Sequence, residues 1–501
     1  MNIVWFKRDL RIEDHDALTR AIENGKVIPL YILEPDLWHQ PDMSYRHYIF
    51  LQECLSDLNQ ALTALGQKLI IKIGPAVDVL NDLHNRHSFD SLWSHQETWN
   101  GWTFKRDRAI KDWCNSKNII WHEIPQNGVI RCLKNRDGWA AKWHVSMNKP
   151  TAKKPSYLVK IDEESDAVSP YKDLGLKKDD YLDLQKGGRE KGLKLLESFL
   201  YHRGENYSKE MSSPTTAYDS CSRLSSHLAF GTLSLREVHQ SCKKRSQEIK
   251  ALPRGEKGKW PSAMRSFSGR LRWHCHFIQK LEDEPRIEFQ NIHSAYNSLR
   301  QSSFNNSFFD AWKSGMTGFP MVDACMRSLK ETGWLNFRMR AMIMSFASYH
   351  LWLHWREPAL YLANLFVDYE PGIHYSQVQM QSGTTGINAI RIYNPIKQGI
   401  DHDPKGIFIR RWIPELRDMD ETYIHMPWQA QLQMNNYPMP IIDEKEARKF
   451  AADQLYSLRK KNNLHKIEAR KIYDKHGSRK SKLNKLKHKK AIKDLQEELP
   501  L

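Results

Sequence analysis

The sequence predicts an α/β domain built on a doubly wound parallel sheet, followed by a large all-α domain. Three observations carry this reading. Short β-branched runs alternate with longer amphipathic stretches through the first 125 residues, helical periodicity alone holds from Leu193 onward, and 501 residues are enough for two or three domains. The boundaries fall at 1–130 for the α/β domain, 131–190 for an interdomain connection, 191–456 for the all-α domain and 457–501 for a basic tail.

In chain order, NIVWF (2–6), VIPLYIL (27–33), KLIIKIG (68–74), SLWSHQ (91–96) and IIWHEI (119–124) read as strands. The stretches from Tyr45 to Leu65 and from Thr103 to Cys114 read as helices, so the strands enter as βαβ units. No G-x-G-x-x-G follows the first strand, which leaves no dinucleotide fingerprint there. From Gly128 to Lys186, Pro, Gly and charge mix without a period, as in a connection. Further on, FRMRAMIMSFASYHLWLHW (337–355) is apolar nearly all round and predicts a buried central helix.

Apolar residues make up 40% and charged residues 27% of the chain, values ordinary for a globular protein. No apolar run reaches the roughly 18 residues of a membrane span, and MNIVWFKRDL lacks the apolar core of a signal peptide. The seven cysteines are scattered, with neither a disulfide framework nor a C-x-x-C pair, and a reducing, cytoplasmic setting is expected. The net charge of +17 suits a polyanionic partner, but Arg459–Lys490 holds 14 Lys or Arg against Glu468 and Asp474. That run carries +12 of the total and reads as a solvated arm rather than a reading surface.

Several constellations could carry chemistry. YDSCSRLSSHLAFG puts Ser220, Ser222, Arg223 and Ser225 at a helix start, a place for a phosphate or for a plain N-cap. Arg338, Arg340, Asp368 and Glu370 are charges in apolar surroundings, and buried charges must pair. Tyr349, Trp352 and Trp355 fall at helical spacing, as a ring ladder or as core packing. His274 and His276 at i,i+2 do not point at one ion, and His402 in IDHDP reads as a loop, so no metal site is expected.

WFKRDLR, SRLSSHLAFG, GFPMVDACMRSL, TGWLNFRMR, RIYNPIKQG and IFIRRWIPEL occur in this order over more than 400 residues. Together they resemble the photolyase/cryptochrome flavoprotein family. GIHYSQVQMQSGTTGIN and RLRWHCHFIQKLEDEP make the resemblance closest to its prokaryotic (6-4) photolyase branch. The resemblance implies an antenna-type α/β domain and a helical domain that binds FAD and UV-damaged DNA. Tyr207, Ser222, Arg223 and Ser225 would lie near the FAD phosphates, and Arg340, Asp368 and Glu370 beside its ring system. Trp273 and Trp334 would face a flipped lesion, and His374 would lie near flavin N5 and serve as proton donor. Trp355 matches the middle member of the family's electron-transfer triad, with Trp352, Tyr349 and Tyr375 as further candidates.

The resemblance has departures. The proximal triad position aligns with Val378 and the distal one near Ser302. Of the four cysteines of the branch's iron–sulfur cluster only Cys325 is present, so no cluster is expected, and Trp412 and Trp428 are candidates to fill its space. Phe337 and Ala341 stand where the eukaryotic (6-4) enzymes have two histidines. The antenna chromophore stays open among folate, deazaflavin and lumazine types or an empty site. The expected function is light-driven repair of (6-4) photoproducts by a monomer, with no membrane partner. A cyclobutane photolyase and a cryptochrome-like blue-light photoreceptor are the rivals.

Overall fold

The computed structural model describes residues 1–180, 183–301, 304–460 and 463–477. Five parallel strands form one sheet in the order β3-β2-β1-β4-β5: β1 Asn2–Phe6, β2 Val27–Leu33, β3 Ile70–Ile73, β4 Ser91–His95 and β5 Ile120–Ile124. Ile3 pairs with Ile28 on one side and Leu92 on the other. Every residue of β1 and β2 is buried, because helices cover both faces, and this is why these strands read as unbroken apolar runs.

Strand order reverses between β1 and β4, where a doubly wound sheet opens its crevice. Part of this region is taken up by a network of buried charges. Arg106, on the helix Gly101–Ser116, donates to Glu34 at 2.8 Å, to Asp107 at 2.8 Å and to Glu97, while Lys7 lies 3.5 Å from Asp107.

The connection is divided between the domains. Val129 and the helix Trp139–Met147 pack on the helical core with Phe199, Leu235 and Phe267. Leu158, Leu174 and Leu184 pack on the α/β domain instead. The boundary between the domains is tight at Gly231 (φ +67), where a Cβ would lie 2.2 Å from Arg8 O.

The predicted single central helix is broken. Phe337–Ser345 is α-helical, Phe346–His350 widens into a π turn, and Trp352 takes a left-handed φ of 53°. Trp355 is the N-cap of the next helix, Arg356–Leu365, so Trp352 and Trp355 do not share a helical face.

The basic tail is also partly ordered. Helices Glu444–Lys460 and Asn463–His476 lie against the domain rather than forming a solvated arm. His476 Nε2 meets Glu284 at 2.6 Å, Tyr296 Oη meets His465 Nε2 at 3.0 Å, and Arg459 Nε donates to Tyr296 Oη at 3.1 Å. Residues 478–501 of the tail lie outside the described residues.

Candidate functional site

Arg340 and Asp368 form the charged centre of the helical domain. Arg340 Nη1 and Nη2 donate to Asp368 Oδ1 and Oδ2 at 2.9 and 2.8 Å, and its Nε donates to Leu335 O at 2.7 Å. Burial alone would raise the Asp368 carboxyl. The charge and hydrogen bonds of Arg340, with Ser225 and Arg223, outweigh that and hold it below the usual carboxylate range. The fork-on-fork geometry fixes both ions in orientation as well as in charge.

Ser225 opens a helix of only five residues, Ser225–Ala229, whose N-cap is Leu224. So short a helix aligns few peptide dipoles, which removes the expected dipole contribution to phosphate binding. The loop before it supplies the cationic surface instead. Arg203 holds this loop through Asp219 O at 2.7 Å, Ser222 O at 2.8 Å and Cys221 O. Arg223 takes a φ of +59° and lies 3.9 Å from the Tyr218 centroid and 4.3 Å from that of Trp334, leaving its Nε without a partner. Ser220 donates to Thr216 O and faces inward. Tyr207 is buried edge-on to Phe199 and Phe267, and burial pushes its phenol up to about 12.

Glu370 follows Asp368 by two residues and lines a cavity between the domains with Arg8, Glu97, Trp99, His274 and Ile278. Burial raises its carboxyl to about 8 against the opposing charge of Arg8, so it is protonated at neutral pH. Its Oε1 has no partner, nor has His274 Nδ1. Gly372 brings the helix Pro371–Gln381 close here, since a Cβ would lie 2.6 Å from Ile278 Cα.

His374 does not fit the donor role expected of it. Burial lowers it to about 4, so the ring is neutral, and its Nε2 lies 2.9 Å from Ala359 O. The carbonyl only accepts, so the ring's single N–H is spent on the backbone and Nδ1 is left as an acceptor. Trp273 is 41% exposed and stacks on Phe277. Phe337 is exposed too, with the Arg270 guanidinium 5.9 Å from its ring. Among the described residues no ring contact joins Trp273 to Trp334.

The electron-transfer candidates separate into two groups. Trp355 and Tyr375 are both buried, with ring centroids 6.3 Å apart. Trp352 and Tyr349 gather instead around Arg300, whose guanidinium lies 4.5 and 5.6 Å from their rings. No ring contact among the described residues links the two groups. Val378 is buried in the main core, while Ser302 lies outside the described residues.

Cys325 is fully buried in the same core, with Trp412 and Trp428 packed against that core and Met321 Sδ 4.0 Å from its sulfur. One His/carboxylate cluster occurs among the described residues, Asp9 with His15 and His95. His15 Nδ1 accepts the Leu18 N–H at 3.0 Å, so in the neutral ring Nε2 bears the hydrogen and points at Asp9 Oδ2, 3.0 Å away. A metal at Nε2 would require an imidazolate, and the cluster is read as a hydrogen-bonded buried carboxylate. His402 ends the helix Pro395–His402 rather than lying in a loop, and Asp403 accepts the Ile409 N–H at 3.0 Å.

Glu370 Oε1 and His274 Nδ1 in the cavity, and Arg223 Nε, Arg338 Nε and Asn336 Oδ1 elsewhere in the helical domain, are buried without a partner within the protein, and a polar ligand would satisfy such groups. Sequence reasoning assigned no role to Arg203, Asn336 or His274, although WHCH and GWLNFRMR had been singled out.

Comparison with known proteins agrees. The family model described as DNA photolyase matches residues 2–139, and that described as FAD binding domain of DNA photolyase matches residues 267–457. A deoxyribodipyrimidine photo-lyase of Vibrio cholerae is 27% identical, over 89% of this chain and 97% of the relative. Cryptochrome-2 of Arabidopsis thaliana is 29% identical, over 90% of this chain and 78% of the relative. The crystal structure of a class III photolyase from Agrobacterium tumefaciens superposes with a TM-score of 0.77 at 25% identity, covering 92% of this chain and 98% of that one. With the α/β and helical domains each matched in turn, the chain belongs to the photolyase/cryptochrome flavoprotein family.

Proposed function

We propose that the protein is a light-driven DNA photolyase that repairs UV-induced pyrimidine photoproducts, with (6-4) lesions as its substrate. The observation that carries the repair reading is the Arg340–Asp368 pair beside a rim of Arg223, Tyr218 and Trp334. A base turned out of a duplex needs aromatic walls and a cationic edge, and that rim has both. The lean to (6-4) lesions rests on the branch motifs GIHYSQVQMQSGTTGIN and RLRWHCHFIQKLEDEP. The relatives named deoxyribodipyrimidine photo-lyase favour cyclobutane dimers as the second reading.

Bound FAD supplies reversible one-electron chemistry driven by blue light. Arg340 holds Asp368 ionised and fixed in orientation, Arg223 and Ser222 would hold the FAD phosphates, and neutral Glu370 would offer a hydrogen-bond donor where an ionised carboxylate could only accept. Trp273 and Trp334 stack on the lesion. Trp355 and Tyr375, in ring contact, would pass electrons toward the flavin, and Tyr349 and Trp352 form a second aromatic group around Arg300. With His374 neutral and its N–H committed, protonation of the lesion falls to another group or to water.

The test is product analysis after blue-light exposure of the reduced protein with two oligonucleotides, one carrying each lesion, against dark controls. Loss of the (6-4) lesion alone supports the proposal. Loss of the cyclobutane lesion alone keeps the enzyme and moves the substrate. Repair of neither by the flavin-loaded protein leaves a photoreceptor.

A further inference from the structure

The run of buried ring contacts does not stop at Trp355 and Tyr375. Tyr375 lies 6.4 Å from Tyr369, centroid to centroid, and Tyr369 lies 5.5 Å from Trp99. The run therefore leaves the helical domain and reaches the loop after β4, with each ring buried. His374, on the same helix as Tyr375, touches both tyrosines, at 5.3 and 5.4 Å, and lies one turn after Glu370 of the cavity wall.

Tyr369 differs from the other rings in having a base at hand. Its Oη–H donates to Asp42 Oδ2 at 2.6 Å, inside the protein, with Tyr369 3% and Asp42 3% exposed. Asp42 is held in place by Asn100 Nδ2 at 3.3 Å. Burial, then the Asp42 charge, keeps the Tyr369 phenol well above its ordinary range, so it is a neutral phenol that must release a proton if it loses an electron. Beyond it, the Arg8 guanidinium lies 3.1 Å from the Trp99 centroid. A cation on an indole face stabilises the electron-rich neutral ring and opposes a positive charge there. His47 stacks on the other side of Tyr369, at 5.8 Å, and burial lowers it to about 4, so it adds no charge.

We propose that Tyr369 is a proton-coupled redox residue, the end of an electron-donating chain Trp355–Tyr375–Tyr369, with Asp42 as its proton acceptor. This rests on the flavin-dependent photochemistry proposed above. The oxidant is the light-excited oxidised flavin, which takes one electron from the chain. The resulting hole moves to Tyr369, whose O–H breaks as its proton passes to Asp42 Oδ2, leaving a neutral tyrosyl radical. An external thiolate, its proton already lost to solvent, gives one electron and leaves as a thiyl radical, and Asp42 returns the proton to the phenol. Arg8 prevents the hole from moving on to Trp99.

The experiment is electron paramagnetic resonance of the flavin-loaded, oxidised full chain, illuminated and frozen in the absence of thiol, for wild type, Tyr369→Phe and Asp42→Asn. A light-induced tyrosyl signal is expected in wild type, lost in both variants, and formed more slowly in D2O than in H2O. Flavin absorbance and the thermal transition of each variant report whether the pocket is intact, and Asn keeps an acceptor oxygen for the phenol. A tyrosyl signal that persists in either variant, or a wild type that shows only a tryptophan radical, overturns the proposal. Lesion repair by the pre-reduced protein is measured alongside. Repair without the tyrosyl signal sinks this inference and leaves the repair reading standing, whereas the signal without repair does the reverse.

Discussion

Replacing Glu370 by Gln separates the charge of the buried carboxyl from its shape. In the folded protein burial raises this group from 4.5 to about 8, with Arg8 and the Gly372 N–H only partly opposing. Below pH 4.5 the carboxyl is protonated in both folded and unfolded chains. Between 4.5 and 8 the unfolded chain gives up its proton while the folded one keeps it, so the group's contribution to stability falls as pH rises. The slope is about 1.4 kcal/mol per pH unit and sums to about 5 kcal/mol by pH 8. The Glu370→Gln variant has no such slope. Urea unfolding of the flavin-loaded protein at pH 5, 6, 7, 8 and 9 should therefore show the variant gaining on wild type by about 1.4 kcal/mol per unit up to pH 8, then levelling off. Parallel profiles over the whole range would refute the assignment of a neutral buried acid.

Arg340→Ala leaves Asp368 buried without its partner, and should cost about 3 kcal/mol in urea unfolding and release flavin on gel filtration. Asp323→Ala removes the acceptor for Thr317 N, Thr317 Oγ1, Gly318 N and Tyr437 Oη; calorimetry should show a loss of about 3 kcal/mol. Trp355→Phe should slow flavin photoreduction, followed at the flavin absorbance, while pre-reduced protein repairs at the wild-type rate. Equal damage to pre-reduced repair would make Trp355 a structural residue, consistent with its 2.7 Å hydrogen bond to Asn291. Truncation after Lys460 should expose the segment 284–296 to limited proteolysis, because Glu284, Ser294 and Tyr296 all lose partners.

The sheet was legible because its strands are buried on both faces: NIVWF and VIPLYIL carry no charged residue of the kind a solvated strand face would show. Arg340 and Asp368 were legible for the complementary reason, as charges among apolar neighbours that had to find each other. The π turn at Phe346–His350 was not. A stretch that is apolar all round has no polar stripe whose shift in phase would betray an extra residue in the turn. The docked tail was hidden by a count of charges along the chain, since the partner of His476 is Glu284, 192 residues earlier. Tyr369 and Asp42, in contact but far apart in sequence, escaped for the same reason. The short helix at Ser225 shows the opposite failure: the serines suggested an N-cap, but the cap is Leu224 with no side-chain hydrogen bond, and nothing in SSHLAFG fixed where the helix would end.

The helix Asn463–His476 imposes an order on assembly. Arg136 Nε reaches Lys475 O at 3.3 Å, and Glu284 and Tyr296 take partners from the same helix, His476 and His465. A ribosome delivers this helix after every element it fastens, so the earlier parts of the helical domain must stay soluble in an unfastened state while synthesis continues. Stabilising that nascent state and stabilising the finished molecule are different tasks. A mutation at His476 or His465 should leave the first untouched and weaken only the second, speeding unfolding without slowing the initial collapse.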